Sequence, residues 1–464
     1  MKTVEYKLEL DEISARRITK LTQTFFEAGY ECYMVGGSVR DLVLGLAAYD
    51  FDFATNAKPQ QVIKLFRHVV PTGIKHGTVT VFIDRIPFEI TTYRCDGKYV
   101  DGRRPETISF SETLEEDIVR RDFTINGLAY DMRDGAIIDY VEGLKDIKRG
   151  LITTIGDPLE RLSEDGLRSY RACRFAAKLN FQISPETLAG ITRTLDIASL
   201  VSVERIRDEI MKMMGAKTPS VGIEYMRETG LLKQALPELD ACYGVEQNRF
   251  HKYDIYYHCV YSCDAASPGD PLIRFASLMH DVGKVPCRGV GADGDFTFYN
   301  HEIVGARMIR ALMRRLKFSN DDINRVVNLV SNHMFYYTDE WTDGAVRRFI
   351  RKVGLDNLDD LIALRMADRV GNGSRHGMAQ PIIQLQEHIT RIIEKDNAFS
   401  VKDLDINGRD LMSECGCTEG PMIGRVLNHL LELVLEDPEL NNNEILKKQA
   451  LDFIKSMENE ESQS

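Results

Sequence analysis

The chain has 464 residues, of which 43% are apolar and 28% charged, and its formal net charge is −12. This length predicts about three domains, and the lack of an uncharged apolar run of roughly 18 residues predicts no membrane span. The net acidity argues against nonspecific coating of nucleic acid, the nine scattered cysteines predict reduced thiols, and an N-terminus without an apolar core indicates a cytoplasmic protein.

The order of the predicted elements indicates an α+β head followed by helical domains. Residues 30–156 mix helical stretches with short alternating strands, as in 78–93, whereas the rest of the chain has an almost wholly helical pattern. Loops are predicted at 94–107 and 286–299. We therefore expect a mixed-sheet head, a helical neck, a helical body and a helical tail, at residues 1–156, 157–235, 236–380 and 381–464.

A Gly pair joins the first predicted strand of the head to a helix. Residues 34–45 read MVGGSVRDLVLG, so that Gly36 and Gly37 precede a helix with Ser38 as its predicted N-cap. Glycines let a backbone approach phosphate oxygens, a helix N-terminus offers unpaired N–H groups, and Arg40 adds a positive charge. The segment suits a triphosphate, although the same pattern also occurs in plain turns.

Two acidic residues follow in the segment YDFDFAT at residues 49–55. On a strand, Asp50 and Asp52 point to one face while Phe51 and Phe53 point to the core. Two like charges on one face repel each other unless cations lie between them, and magnesium ions with a nucleoside triphosphate satisfy that requirement. The alternative is a solvent-exposed acidic strand face.

A third carboxylate lies on a later strand of the head. Glu89 is on the polar face of the strand predicted within residues 85–94, and Phe88 and Ile90 are on its apolar face. We include Glu89 among the catalytic candidates because it would add a further acidic ligand. Whether its face adjoins that of Asp50 and Asp52 depends on the order of the strands, which the sequence leaves open.

Two further segments carry polar residues at helical spacing. Asp122 and Asn126 are four apart within residues 118–131. A second face combines one acid with arginines that recur every three residues: Asp165, Arg168, Arg171 and Arg174. A surface salt-bridge ladder is one interpretation. As a site, the arginines donate and the aspartate accepts hydrogen bonds, which matches the Watson–Crick edges of both cytosine and adenine.

Taken in order, the segments GGSVRD, DFD, HGTVTV, RRDFTIN and EDGLRSYRACRF resemble those of the bacterial class of tRNA nucleotidyltransferases and related poly(A) polymerases. The resemblance implies a head with two magnesium ions, a neck whose Asp and Arg replace a nucleic-acid template, and helical domains that hold tRNA. It also implies CTP and ATP as substrates. The implied roles are metal binding by Asp50 and Asp52, triphosphate binding by Gly37, Arg40 and Arg121, base reading by Asp165 and Arg168, and lining of the same pocket by Arg171 and Arg174. Gly36, Ser38, Asp122 and Asn126 complete the predicted nucleotide-binding set.

Members of this family differ in product, and two segments bear on the choice. Residues 73–83 resemble the CCA-adding branch, and residues 94–110 resemble a flexible loop that enzymes adding only CC lack. Residues 404–441 also resemble the C-terminal part of these enzymes. The expected reaction is in-line attack of the RNA 3′-hydroxyl on an α-phosphate, giving complete CCA or its terminal A, with a poly(A) polymerase as the alternative.

A second constellation lies between the predicted neck and tail. His258, then His280 and Asp281 in HDVGK, and Asp368 in RMADRVGNG resemble the metal-binding residues of an HD phosphohydrolase domain. The resemblance implies that these four residues hold a divalent cation, either magnesium or a transition metal such as manganese, nickel, iron or zinc. The alternative is a set of satisfied core histidines.

Two more histidines of this region, His301 and His333, suit either a second metal position or contact with a phosphate substrate. As a site, the constellation predicts hydrolysis of phosphomonoesters or cyclic phosphates. A metal phosphohydrolase whose head only binds RNA is therefore the third functional hypothesis. The sequence leaves the oligomeric state open.

Overall fold

The computed structural model describes residues 2–74, 77–96, 108–249, 251–373, 380–395, 398–417 and 419–461. Contacts between Cα atoms divide the chain into two compact units, residues 1–241 with 315–317 and residues 242–314 with 318–464. This division falls close to the predicted boundary at residue 235, and the boundaries at 156 and 380 stay predictions. Most of the segment that resembles a flexible loop, residues 97–107, lies outside the described residues, as do Lys75 and His76.

A mixed sheet forms the head of the first unit, as the sequence predicts. The strands of this unit are β1 (Lys2–Glu5), β2 (Cys32–Val35), β3 (Asp52–Thr55), β4 (Val69–Gly73), β5 (Thr78–Ile83), β6 (Ile86–Thr92), β7 (Arg94–Asp96), β8 (Ile108–Phe110), β9 (Leu128–Asp131), β10 (Ala136–Asp139), β11 (Leu151–Ile152) and β12 (Gln182–Ile183). Among the described residues, eight strands form one sheet in the order β1-β10-β9-β2-β3-β6-β5-β4. Its neighbouring strands are antiparallel except β3 and β6, which run parallel.

Local capping signals explain where several helices of the first unit begin. Asp11, Asp157 and Ser184 each accept a hydrogen bond from a backbone N–H of the helix that follows them. The helices are α1 (Glu12–Glu27), α2 (Gly37–Val43), α3 (Pro59–Leu65), α4 (Leu114–Val119), α5 (Gly143–Arg149), α6 (Pro158–Glu164), α7 (Leu167–Leu179), α8 (Pro185–Arg193), α9 (Leu195–Ser199), α10 (Val203–Met214), α11 (Pro219–Thr229), α12 (Leu231–Ala235) and α13 (Pro237–Asp240), with a 3₁₀ turn at Thr124–Asn126.

The two middle residues of strand β3 are apolar and buried on opposite faces. Ala54 packs in a core with Val35 of β2 and Ala129 of β9, whereas Phe53 is buried on the opposite face. Asp52, the first residue of β3, is exposed. The sheet therefore presents polar side chains at the end where β3 begins.

The second unit is almost wholly helical. Its elements are α14 (Ile255–Ala265), α15 (Pro271–Met279), α16 (Lys284–Cys287), β13 (Gly289–Val290), β14 (Phe296–Thr297), α17 (His301–Arg315), α18 (Asn320–Asn332), α19 (Asp343–Val353), α20 (Leu358–Gly371), α21 (Gln380–Lys395), α22 (Gly408–Glu414), α23 (Pro421–Glu436) and α24 (Asn443–Glu461), with 3₁₀ turns at Leu355–Asn357, Val401–Asp403 and Pro438–Leu440. In its C-terminal part, α22, α23 and α24 share one apolar core that includes Leu411, Leu430 and Leu446.

Both segments predicted as loops contain strand residues. β7, at the start of the first segment, pairs antiparallel with β8, which begins directly after that segment, and β13 pairs antiparallel with β14 inside the second. The eight cysteines whose side chains are described form no disulfide, as predicted. None of the described helices is long and apolar enough to cross a membrane.

Candidate functional site

One cavity of about 890 Å³ in the first unit is lined by residues of the head and of α7 and α10. It brings together every residue of the head and neck that the sequence singled out: Gly36, Gly37, Ser38, Arg40, Asp50, Asp52, Glu89, Arg121, Asp122, Asn126, Asp165, Arg168, Arg171 and Arg174. Residues more than 130 positions apart in the chain thus share one wall. Their individual roles stay predictions, and their placement constrains those roles.

The Gly pair forms the turn between β2 and α2. Gly36 has φ of 76°, a conformation that favours glycine, and the helix begins at Gly37. The predicted N-cap was wrong: Ser38 is already inside the helix, and its hydroxyl donates to the carbonyl of Val35 at 3.2 Å. A Cβ atom at Gly36 would lie 3.1 Å from the Arg121 guanidinium, so the bare turn lets this cation approach the backbone.

The three predicted carboxylates line the same cavity. Asp52 of β3 pairs in register with Glu89 of the parallel strand β6, which answers the question that the sequence left open. Phe51 and Phe53 are buried, as the alternation predicts, but β3 begins at Asp52, so the prediction that Asp50 lies on the strand was wrong. Asp50 is in the extended segment before the strand because the ladder with β2 ends at Asp52.

The surroundings of Asp52 disfavour its charged form. Loss of hydration inside the cavity, together with repulsion from Glu89 and Asp50, raises the pKa of Asp52 to about 6, against the opposing charge of Arg121. Magnesium prefers oxygen ligands, and negatively charged carboxylate oxygens such as these suit it. The three carboxylates therefore fit divalent cations, which would relieve the repulsion.

The segment around Asp122 is not the helix that its spacing predicts. Helix α4 ends at Val119, and the backbone N–H of Thr124 then donates to the carbonyl of Thr153, which draws the chain into a β-bridge. Asp122 still contacts Asn126, because the 3₁₀ turn brings the Asn126 amide to 3.0 Å from the Asp122 carboxylate. The predicted pair is thus correct, but its secondary structure is wrong.

Asp122 is a buried carboxylate that pairs with one of the arginines lining the cavity. The Arg171 guanidinium lies 2.7 Å from its carboxylate. Burial alone raises the pKa of Asp122, but Arg171 and the hydrogen bond from Asn126 outweigh it and lower this pKa to about 2. Asn126 in turn contacts Arg40, which is buried and also pairs with Asp41 at 2.6 Å. These partners hold the arginines in fixed positions.

Helix α7 carries three arginines into the cavity, as the three-residue spacing predicts. Arg171 and Arg174, together with Arg40 of α2, stack on the ring of Phe175, with distances of 5.4, 4.1 and 4.9 Å from guanidinium carbon to ring centroid. Arg168 also lines the cavity, and its guanidinium donates to the backbone carbonyl of Arg161 at 2.7 Å.

Several lining residues escaped the sequence analysis. Among them are the cations Arg94, Arg120, Lys178, Arg205 and Lys212 and the exposed ring of Tyr49. Arg205 and Lys212 are seven residues apart on α10, which is a helical repeat, so the signal was present in the sequence. It was missed because nothing local indicates that this face of α10 packs beside α7.

A second cluster of polar residues lies inside the second unit. It joins imidazoles and carboxylates from α14, α17 and α20 and from the chain directly after α15 and α18, all of them buried except the partly buried Asp368: His258, His280, Asp281, His301, His333 and Asp368. Asp281 is at its centre. One of its oxygens lies 3.2 Å from Nε2 of both His258 and His280, and the other lies 3.2 Å from Nε2 of His301 and 3.6 Å from Nε2 of His333.

Asp368 completes one side of this cluster. Its carboxylate is 3.2 Å from Nε2 of His258 and 3.7 Å from Nε2 of His280. The ligand atoms of His258, His280 and Asp368 lie within 4.8 Å of one another, and so do those of His280, Asp281 and His333. The geometry thus contains two adjacent sets of metal-ligating atoms that share His280.

The backbone orients the imidazoles for ligation. Nδ1 of His280, His301 and His333 lies 2.7, 2.8 and 2.7 Å from the backbone carbonyls of Ser277, Phe298 and Val330. Because a carbonyl only accepts, each Nδ1 donates, and Nε2 is the ring nitrogen that faces Asp281. Among the described residues, Nε2 of His301 and His333 and one oxygen of Asp281 are buried without a hydrogen-bond partner. These atoms fit a cation.

The charge of Asp281 also suits metal binding. Burial alone raises the pKa of Asp281, but His280 and Lys284 outweigh it and hold this pKa well below its ordinary value of 3.8. The Lys284 ammonium lies 2.6 Å from the carboxylate. Asp281 is therefore an ionised ligand in a buried place.

Gly283 of the HDVGK segment shows how closely the helices around this cluster pack. A Cβ atom there would overlap the carbonyl oxygen of His301 and the backbone of Gly305. We expect Gly283→Ala to displace His301 and to lower the free energy of unfolding by about 1–3 kcal/mol, measured by urea denaturation. In the control Gly269→Ala, the nearest atom, Oγ of Ser267, is 3.6 Å away. Equal stability of the two variants would contradict this packing.

The mixed sheet and the cavity, with its carboxylates beside arginines, define a nucleotidyltransferase. Models of known families match three parts of the chain: the poly A polymerase head domain at residues 32–153, the RNA and SrmB-binding site of polymerase A at 180–243, and the tRNA nucleotidyltransferase domain 2 at 298–450.

Curated relatives carry a more specific name. The CCA-adding enzyme of Ligilactobacillus salivarius is 32% identical over 431 residues, which cover 91% of this chain and 93% of the relative. That of Lactobacillus johnsonii is 34% identical over 420 residues, 90% and 92% of the two chains. That of Levilactobacillus brevis is 46% identical over 209 residues, which cover 45% of this chain and 52% of the relative. The chain belongs to the family of CCA-adding enzymes.

Solved structures share this fold. The CCA-adding enzyme of Bacillus stearothermophilus in complex with CTP has a TM-score of 0.74 and 24% identity, with 96% of this chain and 98% of that chain covered. The Thermotoga maritima CCA-adding enzyme complexed with tRNA has a TM-score of 0.57 and 19% identity, with 96% of both chains covered. At this identity the likeness concerns the fold alone.

Proposed function

We propose that this protein adds CCA to the 3′ end of tRNA from CTP and ATP without a nucleic-acid template. The observation that carries the proposal is that one cavity is lined both by Asp50, Asp52 and Glu89 and by arginines of α2 and α7. The names of the full-length relatives support CCA rather than a poly(A) tail as the product. Because this reaction consumes CTP and ATP, we also propose that the protein works in the cytoplasm.

Asp50 and Asp52 would hold two magnesium ions, and Glu89 lies beside them as a third acidic group. Bound there, the ions supply positive charge to the reacting phosphates. The bare turn at Gly36 and Gly37 leaves room for phosphate oxygens, and Arg121 approaches the same turn. This side of the cavity would therefore hold the triphosphate.

The chemical step exchanges a phosphoanhydride bond of the nucleoside triphosphate for a phosphodiester bond. The terminal 3′-hydroxyl of the RNA attacks the α-phosphorus, a new P–O bond forms, and the bond to pyrophosphate breaks. The hydroxyl proton is lost and pyrophosphate leaves. Asp165 and the nearby arginines would read the base, since aspartate accepts and arginine donates hydrogen bonds. No covalent bond between enzyme and nucleotide is required.

The proposal is tested with three tRNAs that end before CCA, after the first C and after CC, each incubated with magnesium and with CTP and ATP separately or together. Restoration of CCA on the shortest tRNA is the expected result. Growth only from the CC end would indicate an enzyme that adds the terminal A, and long A tails would indicate a polymerase. No extension of any tRNA would overturn the proposal.

We propose as a second function that the buried cluster of the second unit binds one or two divalent cations and hydrolyses phosphate esters. The observation that favours it is the convergence of four imidazole Nε2 atoms on the carboxylates of Asp281 and Asp368. A site built from imidazoles and carboxylates suits transition metals such as manganese, nickel, iron or zinc. Magnesium also binds carboxylate oxygens. Bound cations would polarise a phosphate and a water molecule.

A further inference from the structure

Tyr49 differs from the other aromatic residues of the cavity because its ring is exposed. Among the described lining residues, the other aromatic rings are those of Phe53 and Phe175, and both are buried. Tyr49 is 86% exposed, so its ring contributes almost nothing to the packing of the protein. An exposed aromatic ring inside a polar cavity is a surface on which another flat ring can stack.

The backbone holds Tyr49 next to the carboxylates of the cavity. It lies in the irregular segment between α2 and β3. The N–H of Leu46 donates to the carbonyl of Asp41 at 2.8 Å, which fixes the beginning of this segment, and the pairing of β3 with β2 fixes its end from Asp52 onwards. Because Tyr49 directly precedes Asp50, their Cα atoms are about 3.8 Å apart.

In the proposed reaction, two nucleotides meet at these carboxylates. The incoming nucleotide would be held by the turn at Gly36 and Gly37 and by side chains of α7. The other nucleotide is the last one of the RNA, whose 3′-hydroxyl must lie beside the metal ions that Asp50 and Asp52 would hold. Its base is attached to the same ribose as that hydroxyl. This terminal base therefore lies within the length of one nucleotide of the carboxylates, as does the ring of Tyr49.

The chemistry of stacking suits an RNA end that changes at every step. Complete CCA addition requires the end before CCA, the end after the first C and the end after CC to occupy the same position in turn. Hydrogen bonds to a base edge would favour one base over the others. An aromatic ring instead accepts any base, because every base has a π-face.

We propose that Tyr49 is a binding residue for the RNA: its ring stacks on the 3′-terminal base and sets the 3′-hydroxyl beside the carboxylates. This inference rests on the proposed nucleotidyl transfer. It concerns how the RNA end is accepted and leaves the choice of the incoming nucleotide to other residues. Since the ring alone provides the contact, phenylalanine should replace Tyr49 and alanine should not.

The first test combines Tyr49→Ala with removal of the terminal base from a tRNA that ends before CCA. Each change alone should raise the KM for tRNA in C addition about tenfold. Both changes together should raise this KM little more than one of them, because they remove the same contact. Tyr49→Phe should keep the KM for tRNA, and the KM for CTP should stay the same in every variant. Independent effects of the two changes, or a rise in the KM for CTP instead, overturn the inference.

The second test detects stacking without catalysis. The terminal base of the tRNA is replaced by 2-aminopurine, whose fluorescence changes with stacking, and the RNA is saturated with protein in the absence of CTP and ATP. The unmodified protein and Tyr49→Phe should give the same change in fluorescence, and Tyr49→Ala should lose it. Tyr299→Ala is the matched control: Tyr299 is 79% exposed, belongs to the second unit and is not among the residues lining the cavity. This variant should keep the fluorescence change and the KM for tRNA.

The two measurements separate the inference from the proposed function. If the unmodified protein extends no tRNA, the proposed function fails, whereas a fluorescence change that depends on Tyr49 would still support stacking on the RNA end. If the unmodified protein extends tRNA, and Tyr49→Ala remains folded by thermal denaturation with an unchanged KM for tRNA and an unchanged fluorescence signal, the inference alone is overturned.

Discussion

Asp52→Asn is expected to slow nucleotidyl transfer about a thousandfold or more, because it removes an anionic ligand from the group formed by Asp50, Asp52 and Glu89. Asp52 pairs in register with Glu89 and also feels the charge of Asp50, so the neutral amide weakens metal binding at the point where these charges meet. The measurement is the single-turnover rate of C addition to a tRNA lacking CCA at saturating magnesium.

The same substitution is expected to stabilise the protein when magnesium is left out. The pKa of Asp52 is raised from 3.8 to about 6, so the folded form binds this proton more tightly than the unfolded form. The stability contributed by the protonated group is fully present below pH 3.8 and is lost as the pH rises through 6. In EDTA at pH 7 to 8, Asp52→Asn should therefore melt at a higher temperature than the unmodified protein, and added magnesium should narrow the difference.

Asp84→Asn serves as the control for both measurements. Asp84 lies in the turn between β5 and β6, its side chain is 54% exposed, and its φ of 50° is well tolerated by asparagine. This variant should keep the rate of C addition and its response to magnesium. Comparable rates of C addition for Asp52→Asn and Asp84→Asn would show that Asp50, Asp52 and Glu89 do not form the catalytic centre.

Asp281→Asn is expected to weaken cation binding at the buried cluster about a hundredfold or more, because both oxygens of Asp281 face imidazole nitrogens. An amide of the same size offers one neutral oxygen and an NH₂ group that cannot ligate. After dialysis against manganese, nickel or zinc, metal analysis should find bound ions in the unmodified protein and a large loss in the variant. Hydrolysis of a phosphomonoester or cyclic phosphate should fall in parallel.

The control for this substitution is Asp293→Asn in the same unit, whose side chain is 58% exposed. It should bind metal as the unmodified protein does. CCA addition by Asp281→Asn should continue, since the cavity residues all belong to the first unit. Undiminished metal content in Asp281→Asn would remove the basis for a metal-dependent hydrolase in the second unit.

Local patterns predicted the faces of elements more reliably than their ends. The alternation around Asp52 correctly put Phe51 and Phe53 in the core, and the three-residue spacing correctly put the arginines on one face of α7. The start of α2 and the conformation around Asp122 were wrong. The positive φ of Gly36 determines where α2 begins, and a β-bridge to a distant segment determines the backbone around Asp122. Neither feature produces a periodic pattern in the sequence.

The sequence by itself determined the chemistry of this protein: which residues are acidic, cationic or metal-ligating, and which side of its own strand or helix each one occupies. Only the tertiary structure decided which of them meet. Glu89 lies beside Asp52 because β3 pairs in parallel with β6, and Arg205 holds Asp165 because α10 packs beside α7. Likewise, His301 and His333 face one oxygen of Asp281. The reason is that periodicity fixes orientation within an element, whereas register and helix packing depend on contacts far apart in the chain.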